Sequence, residues 1–140
     1  MHEELIAPCG MNCALCSAYL AYVHRIPRRR GHIYHCQGCL PRNKRCAYLK
    51  KHCSPLSSDS IRFCYECKGF PCTRLNHIDA RYRKNYGISF IENLETIRDN
   101  GIDRFLEYQR ARHRCPECGD WISVHNKKCF RCDTIKSWKE

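Results

Sequence analysis

The chain has 140 residues, enough for one domain with at most a small appendage, which excludes larger multi-domain enzymes. Fourteen cysteines make one residue in ten, and the start Met1-His2-Glu3-Glu4 is acidic where a secretory leader would be basic. The formal charge is +11, from 25 basic and 14 acidic residues, but three four-cysteine zinc sites would lower it to about +5, because metal-bound cysteines are thiolates.

Nucleic-acid binding is therefore permitted by the charge and not demanded by it. The longest apolar run, Cys13 to Val23, is about half a membrane span. The expectation is a soluble cytoplasmic protein with no membrane partner, in which cysteines stay reduced and bind metal in preference to forming disulfides.

In chain order, the first motif is Cys9-x3-Cys13-x2-Cys16. It matches the cluster motif of radical enzymes that use S-adenosylmethionine, but those need a partial barrel of roughly 200 residues, longer than this whole chain. Asn12 to Val23 reads as a helix, with Leu15, Tyr19 and Tyr22 on one face and Pro27 ending the pattern. Cys13 and Cys16 then fall in its first turn, where free amides stabilise thiolates. Arg28-Arg29-Arg30-Gly31 forms a basic loop. A second short helix is expected over Lys44 to His52, followed by a loop from Pro55 to Ser60. Thr73 to Tyr86 reads as a helix through Leu75, Ile78, Tyr82 and Tyr86. Ser89 with Glu92 makes a capping box for a helix carrying Ile91, Leu94 and Ile97, which Asn100-Gly101 stops. Asp103 is expected to cap a last helix, through about Arg112, that carries Phe105, Leu106 and Tyr108.

The C-terminal stretch CPECGDWISVHNKKCFRC is the most specific signal in the chain. Two Cys-x-x-Cys knuckles, Cys115/Cys118 and Cys129/Cys132, point four sulfurs at one tetrahedral ion. Gly119 suits the positive φ of such a turn, and Trp121 to Val124 alternates like a strand before a turn at His125-Asn126-Lys127. A compact zinc ribbon with a short β-hairpin is expected, closed and structural, with zinc favoured over iron.

The other ten cysteines leave several pairings open. Cys9, Cys13 and Cys16 take Cys72, after Pro71 at a helix start, as the expected fourth ligand. Cys36/Cys39 with Cys64/Cys67 make a second site and leave Cys46 and Cys53 over. Alternatively Cys36, Cys39, Cys46 and Cys53 form a sequential finger and Cys64/Cys67 join the N-terminal cluster. His32 and His35 could replace a sulfur, although packing or surface roles are the ordinary reading for them and for His125.

These motifs carry a resemblance. APCGMNCALCSAYLAY, CQGCLPRNKRC and CYECKGFPCTRL together resemble the family called domain of unknown function 3795. The segment from Ser89 to Cys132 is similar to its longer members, which append a helical pair and a zinc-ribbon-like end. The resemblance implies a small cysteine-rich protein of a kind common in anaerobic bacteria and archaea, and brings no activity with it. Between Cys46 and Cys53 the chain departs from the usual pattern, in which closer spacing is expected.

The sequence thus predicts a mainly α protein with small irregular metal-stabilised segments and a zinc ribbon. Its divisions are residues 1–88 as a cysteine-rich domain, 89–114 as a helical hairpin and 115–140 as the ribbon-like element. Two or three zinc ions are expected, or an iron–sulfur cluster at Cys9, Cys13 and Cys16. No HExxH, nucleophile elbow, P-loop or dinucleotide fingerprint is present, and a thiol enzyme on Cys46 or Cys53 has only His52 as a nearby base. The expected function is non-enzymatic metal binding that presents a surface to a protein partner. The alternative partner is a nucleic acid held by Arg28, Arg29, Arg30, Arg42, Lys44, Arg45, Arg81, Arg83, Lys84, Arg110, Arg112 and Arg114, with Tyr34, Tyr48 and Tyr82 stacking on bases.

Overall fold

A computed structural model describes residues 1–27, 34–42 and 52–132. Among these the protein is mainly helical. The elements are α1 (Ser17–Val23), the short turns α2 (Cys39–Arg42) and α3 (Ser54–Ser57), then α4 (Thr73–Tyr86), α5 (Phe90–Asn100) and α6 (Ile102–His113). The helix expected over Lys44 to His52 lies outside the described residues except for His52. The basic loop at Arg28, Arg29 and Arg30, together with His32, Cys46 and Tyr48, also lies outside them.

The long helices begin and end as their residues require. Ser89 is the N-cap of α5, its hydroxyl accepting from the Glu92 amide at 3.0 Å. Gly87 ends α4 at φ 69° in the left-handed region, where glycine carries no Cβ penalty. The last helix differs from expectation: Gly101, at φ 88°, is its N-cap, and Asp103 sits within its first turn. The short link between α5 and α6 leaves no room for a separate cap, so a single glycine ends one helix and starts the next.

The first predicted helix is broken. Cys13–Leu15 form a 3-10 turn, Cys16 is extended at ψ 132°, and only then does α1 begin. The Asn12 side chain draws in the Ala14 amide at 3.1 Å, closing the first turn early. Cys16 consequently becomes the N-cap of α1, not a residue inside its first turn. The stretch after Cys53 also departs from a loop, because Pro55 opens the short turn α3 and Leu56 is buried.

One core joins the N-terminal segment to the helices. Ile6, Leu15, Leu75, Leu94 and Phe105 are its most deeply buried apolar side chains. Burying such side chains contributes roughly 1.5–3 kcal/mol each, so this region does not depend on metal alone. A loop over residues 7–11 holds the opening motif against α5. Gly10 takes φ 92°, and a Cβ there would meet the Phe90 carbonyl oxygen at 2.7 Å. The Asn93 side chain donates to the Gly10 carbonyl at 2.9 Å, and Asn12 reaches Gln109 on α6 at 3.3 Å. Where α4 meets α5, buried Asp79 accepts from Arg83 at 2.6 Å, from the Ser89 hydroxyl at 2.8 Å and from the Ile91 amide at 3.0 Å.

The expected β-hairpin does not form among the described residues. The C-terminal element has isolated antiparallel bridges, Arg114 with Trp121 and Ile122 with Cys129. The Ser123 amide still donates to the Lys128 carbonyl at 2.9 Å, and the departure comes one residue later. The Val124 amide donates to the Leu15 carbonyl at 3.0 Å and its side chain joins the main core, so the second half of the strand docks on the N-terminal segment instead of extending the ladder.

Candidate metal centre

The C-terminal centre is built from two tight turns. The Gly119 amide donates to the Cys115 carbonyl at 2.9 Å, with Gly119 at φ 78°, and the Cys115 amide donates to the Asp120 carbonyl. These bonds turn the chain back so that Cys115 and Cys118 share one side. Cys115 Sγ lies 3.8 Å from Cys132 Sγ, and Cys118 Sγ 3.5 Å from Cys129 Sγ. All four sulfurs lie within 4.8 Å of one another. The amides of Cys118 and Glu117 donate to the Cys115 sulfur and hold its thiol down at about 7. The Cys132 thiol is pushed up to about 12, chiefly by its hydrogen bond with Cys118. Four sulfurs this close cannot all be anionic without a cation among them, and this donor set suits a tetrahedral soft or borderline ion such as Zn²⁺. Four protein ligands would fill its coordination sphere.

This element is anchored as well as closed. His125 accepts from the Ser17 amide on Nδ1 at 3.2 Å, so Nε2 carries the proton and donates to the Tyr82 hydroxyl, also at 3.2 Å. Burial first, and then the charge of Lys127, push its pKa below the ordinary histidine value. His24 on the other side meets Asp120 at 3.2 Å. Phe130 packs with Leu20, Ala21 and Ile26, and Trp121 rests against them. His125 is a neutral bridge between α1, α4 and the C-terminal turns, in keeping with a packing role.

The N-terminal cysteines are distributed over several segments. Cys13 and Cys16 flank the broken turn, and the Cys39 amide donates to Cys13 Sγ at 3.4 Å. The neighbouring Cys39 thiol, with burial behind it, pushes the Cys13 thiol far up. Cys9 is buried at 4 % exposure, and the Cys64 amide donates to the neighbouring Pro8 carbonyl at 2.9 Å. Cys64 opens a 3-10 turn, Cys64–Glu66, which Cys67 follows. Cys72 is the exposed N-cap of α4. Among the described residues these N-terminal cysteines do not form a group as tight as the C-terminal four.

The protein thus combines a cysteine-rich N-terminal half with one four-thiol cluster. The profile of one family, described as a protein of unknown function (DUF3795), matches residues 5–77. The chain belongs to this family. Comparisons with curated proteins and with solved structures found no match. The matched region ends inside α4, so in this DUF3795 protein the helical pair and the four-thiol cluster lie beyond it.

The remaining candidate residues are placed as follows. Cys53 is the half-buried N-cap of α3, and Cys46 lies outside the described residues. The His35 ring is hydrogen-bonded to the Ile26 carbonyl at 2.7 Å, a contact sequence reasoning did not foresee. Arg81, Arg83 and Lys84 lie on α4, with Arg83 engaged by Asp79. Arg110 donates to the Met1 carbonyl at 3.1 Å and Arg114 to that of Gly119 at 3.2 Å, so both serve the fold. Sequence reasoning also missed Asn12, Asn93 and Gln109, which position the Cys9–Cys13 loop. Buried amide side chains carry no pattern in a single sequence, and only their tertiary partners reveal their roles.

Proposed function

We propose that this protein is a non-enzymatic zinc-binding module that acts by presenting a surface to a protein partner. The observation that carries the reading is the cluster of Cys115, Cys118, Cys129 and Cys132, in which four thiols from two knuckles complete a tetrahedral set. A filled set leaves no position for a substrate, so the ion supplies rigidity. Exposed large side chains support the second half of the reading: Tyr22 and Val23 on α1, and Tyr34, at 42, 49 and 69 % exposure. No helix among the described residues is long and apolar enough to cross a membrane.

Elemental analysis of the full chain, purified anaerobically, tests the metal. Stoichiometric zinc in a colourless protein is expected, with a loss of about one zinc per chain in Cys115→Ser and Cys129→Ser. Stoichiometric iron with visible absorption overturns the zinc assignment in favour of a redox centre. Affinity for RNA or DNA that falls steeply with salt replaces the protein partner by a nucleic acid.

A further inference from the structure

We infer that Cys13, Cys16, Cys36 and Cys39 form a second four-thiolate site for one zinc ion, built from two knuckles that the fold brings face to face. In sequence these pairs read Cys-x2-Cys-x19-Cys-x2-Cys, within the spacing at which two such pairs share one zinc. That pattern alone competes with every other pairing of the N-terminal cysteines. The tertiary contacts choose among them.

The second knuckle lies on the first. The Cys36 amide donates to the Ala18 carbonyl of α1 at 3.1 Å, fixing the approach of its segment. Three residues later the Cys39 amide donates to Cys13 Sγ at 3.4 Å. Ala18 stands two residues past Cys16, so the Cys36 segment passes beside the start of α1. The segment of the second pair therefore lies against that of the first, joined at Cys39 with Cys13 and at Cys36 with Ala18.

The local geometry is that of metal knuckles. The Gly38 amide, two residues beyond Cys36, donates to Cys36 Sγ at 3.4 Å. Amide donors of this kind stabilise thiolates and orient them. Gly38 itself takes φ 104°, and a Cβ there would meet Leu5 at 3.1 Å and Pro41 at 3.3 Å. The turn that aims Cys39 at Cys13 thus requires glycine and is locked against the core. The four sulfurs are set more loosely than the C-terminal four; an ion between the knuckles draws them into one shell. Cys72 is exposed at the head of α4, and the inferred set leaves it and Cys64/Cys67 out.

The test uses the full chain, loaded with zinc under anaerobic conditions and then titrated with a chelator. Thiols that become alkylated at each step are located by mass spectrometry, with released zinc measured in parallel. Cys13, Cys16, Cys36 and Cys39 are expected to become reactive together, with the release of about one zinc per chain. Reactivity of Cys36 and Cys39 while Cys13 and Cys16 stay protected overturns the site. Release of Cys64/Cys67 or Cys72 together with Cys13 and Cys16, in place of Cys36 and Cys39, overturns it too. Metal content of Cys36→Ser/Cys39→Ser is the second readout. It is expected to fall by about one zinc while the C-terminal cysteines stay protected, and unchanged content refutes the inference. A failure of the C-terminal assignment looks different: Cys115→Ser then leaves the zinc content unaltered while Cys36→Ser/Cys39→Ser still lowers it.

Discussion

The two cysteine-bearing regions of this protein are organised differently. Cys115 to Cys132 collect four sulfurs from 18 consecutive residues, and short turns suffice to bring all of them within 4.8 Å of one another. The N-terminal cysteines run from Cys9 to Cys72, and their neighbours are set by contacts between segments far apart in the chain. The buried apolar content is reversed. Residues 115–132 bury Val124 and Phe130 beyond their cysteines, whereas the segment from Leu5 to Leu15 is continuous with the core of α4, α5 and α6. One region gathers its thiols within a single short stretch, and the other places its cysteines by packing.

Metal removal should separate the two regions most sharply. Chelation at neutral pH is expected to cost on the order of 10 kcal/mol per structural zinc. Amides of residues 115–132 should lose hydrogen-exchange protection, while those of α5 and α6 retain part of theirs. Equal loss throughout would break the comparison.

The next largest effect is expected from Gly10→Ala, which forces a side chain onto the Phe90 carbonyl at a positive φ. A loss of about 3 kcal/mol is expected in denaturant unfolding. Protection of Cys13 and Cys39 against alkylation should weaken with it, while Cys115 and Cys129 remain protected. If the C-terminal thiols also become reactive, the two regions are not independent.

Asp79→Asn acts on the helical side of the molecule. Burial opposes the charge of Asp79, but the Ile91 amide, Arg83 and Ser89 outweigh it and hold its carboxyl below the usual range. Losing those charge-assisted bonds should cost about 2 kcal/mol at neutral pH. A carboxyl lowered in the fold contributes stability above its unfolded pKa, near 3.9, and loses it as the pH falls through the folded value. The gap between variant and wild type should therefore close in acid, which unfolding midpoints measured across that range will show. A gap independent of pH would mean the charge is irrelevant.

The smallest effect belongs to the joint between the regions. His125→Ala removes the bridge between the Ser17 amide and the Tyr82 hydroxyl and is expected to cost about 1 kcal/mol. Zinc content should be unchanged, since both ring nitrogens of His125 are engaged, by the Ser17 amide and the Tyr82 hydroxyl. Loss of zinc from the variant would instead make His125 part of a centre.

Legibility followed the range of the interactions. The helix Thr73–Tyr86 and the Ser89 cap could be read directly, because helical spacing and capping are governed by residues within a turn or two. The four C-terminal cysteines were legible as a group for the same reason. Asp103 was misread as a cap because Gly101 serves both α5 and α6. The strand at Trp121–Val124 was misread because Leu15, more than a hundred residues earlier, takes the Val124 amide.

The sequence by itself determined the mainly helical character, the family, and a C-terminal cluster of four thiols, since periodicity, motif order and knuckle spacing are local properties of the chain. Only the tertiary structure decided where the first helix breaks, why Gly10 must be glycine, and that the Cys39 amide meets the Cys13 sulfur. Those outcomes depend on surfaces meeting across long stretches of chain. Ten cysteines within 64 residues allow many pairings of similar spacing, and packing is what distinguishes them.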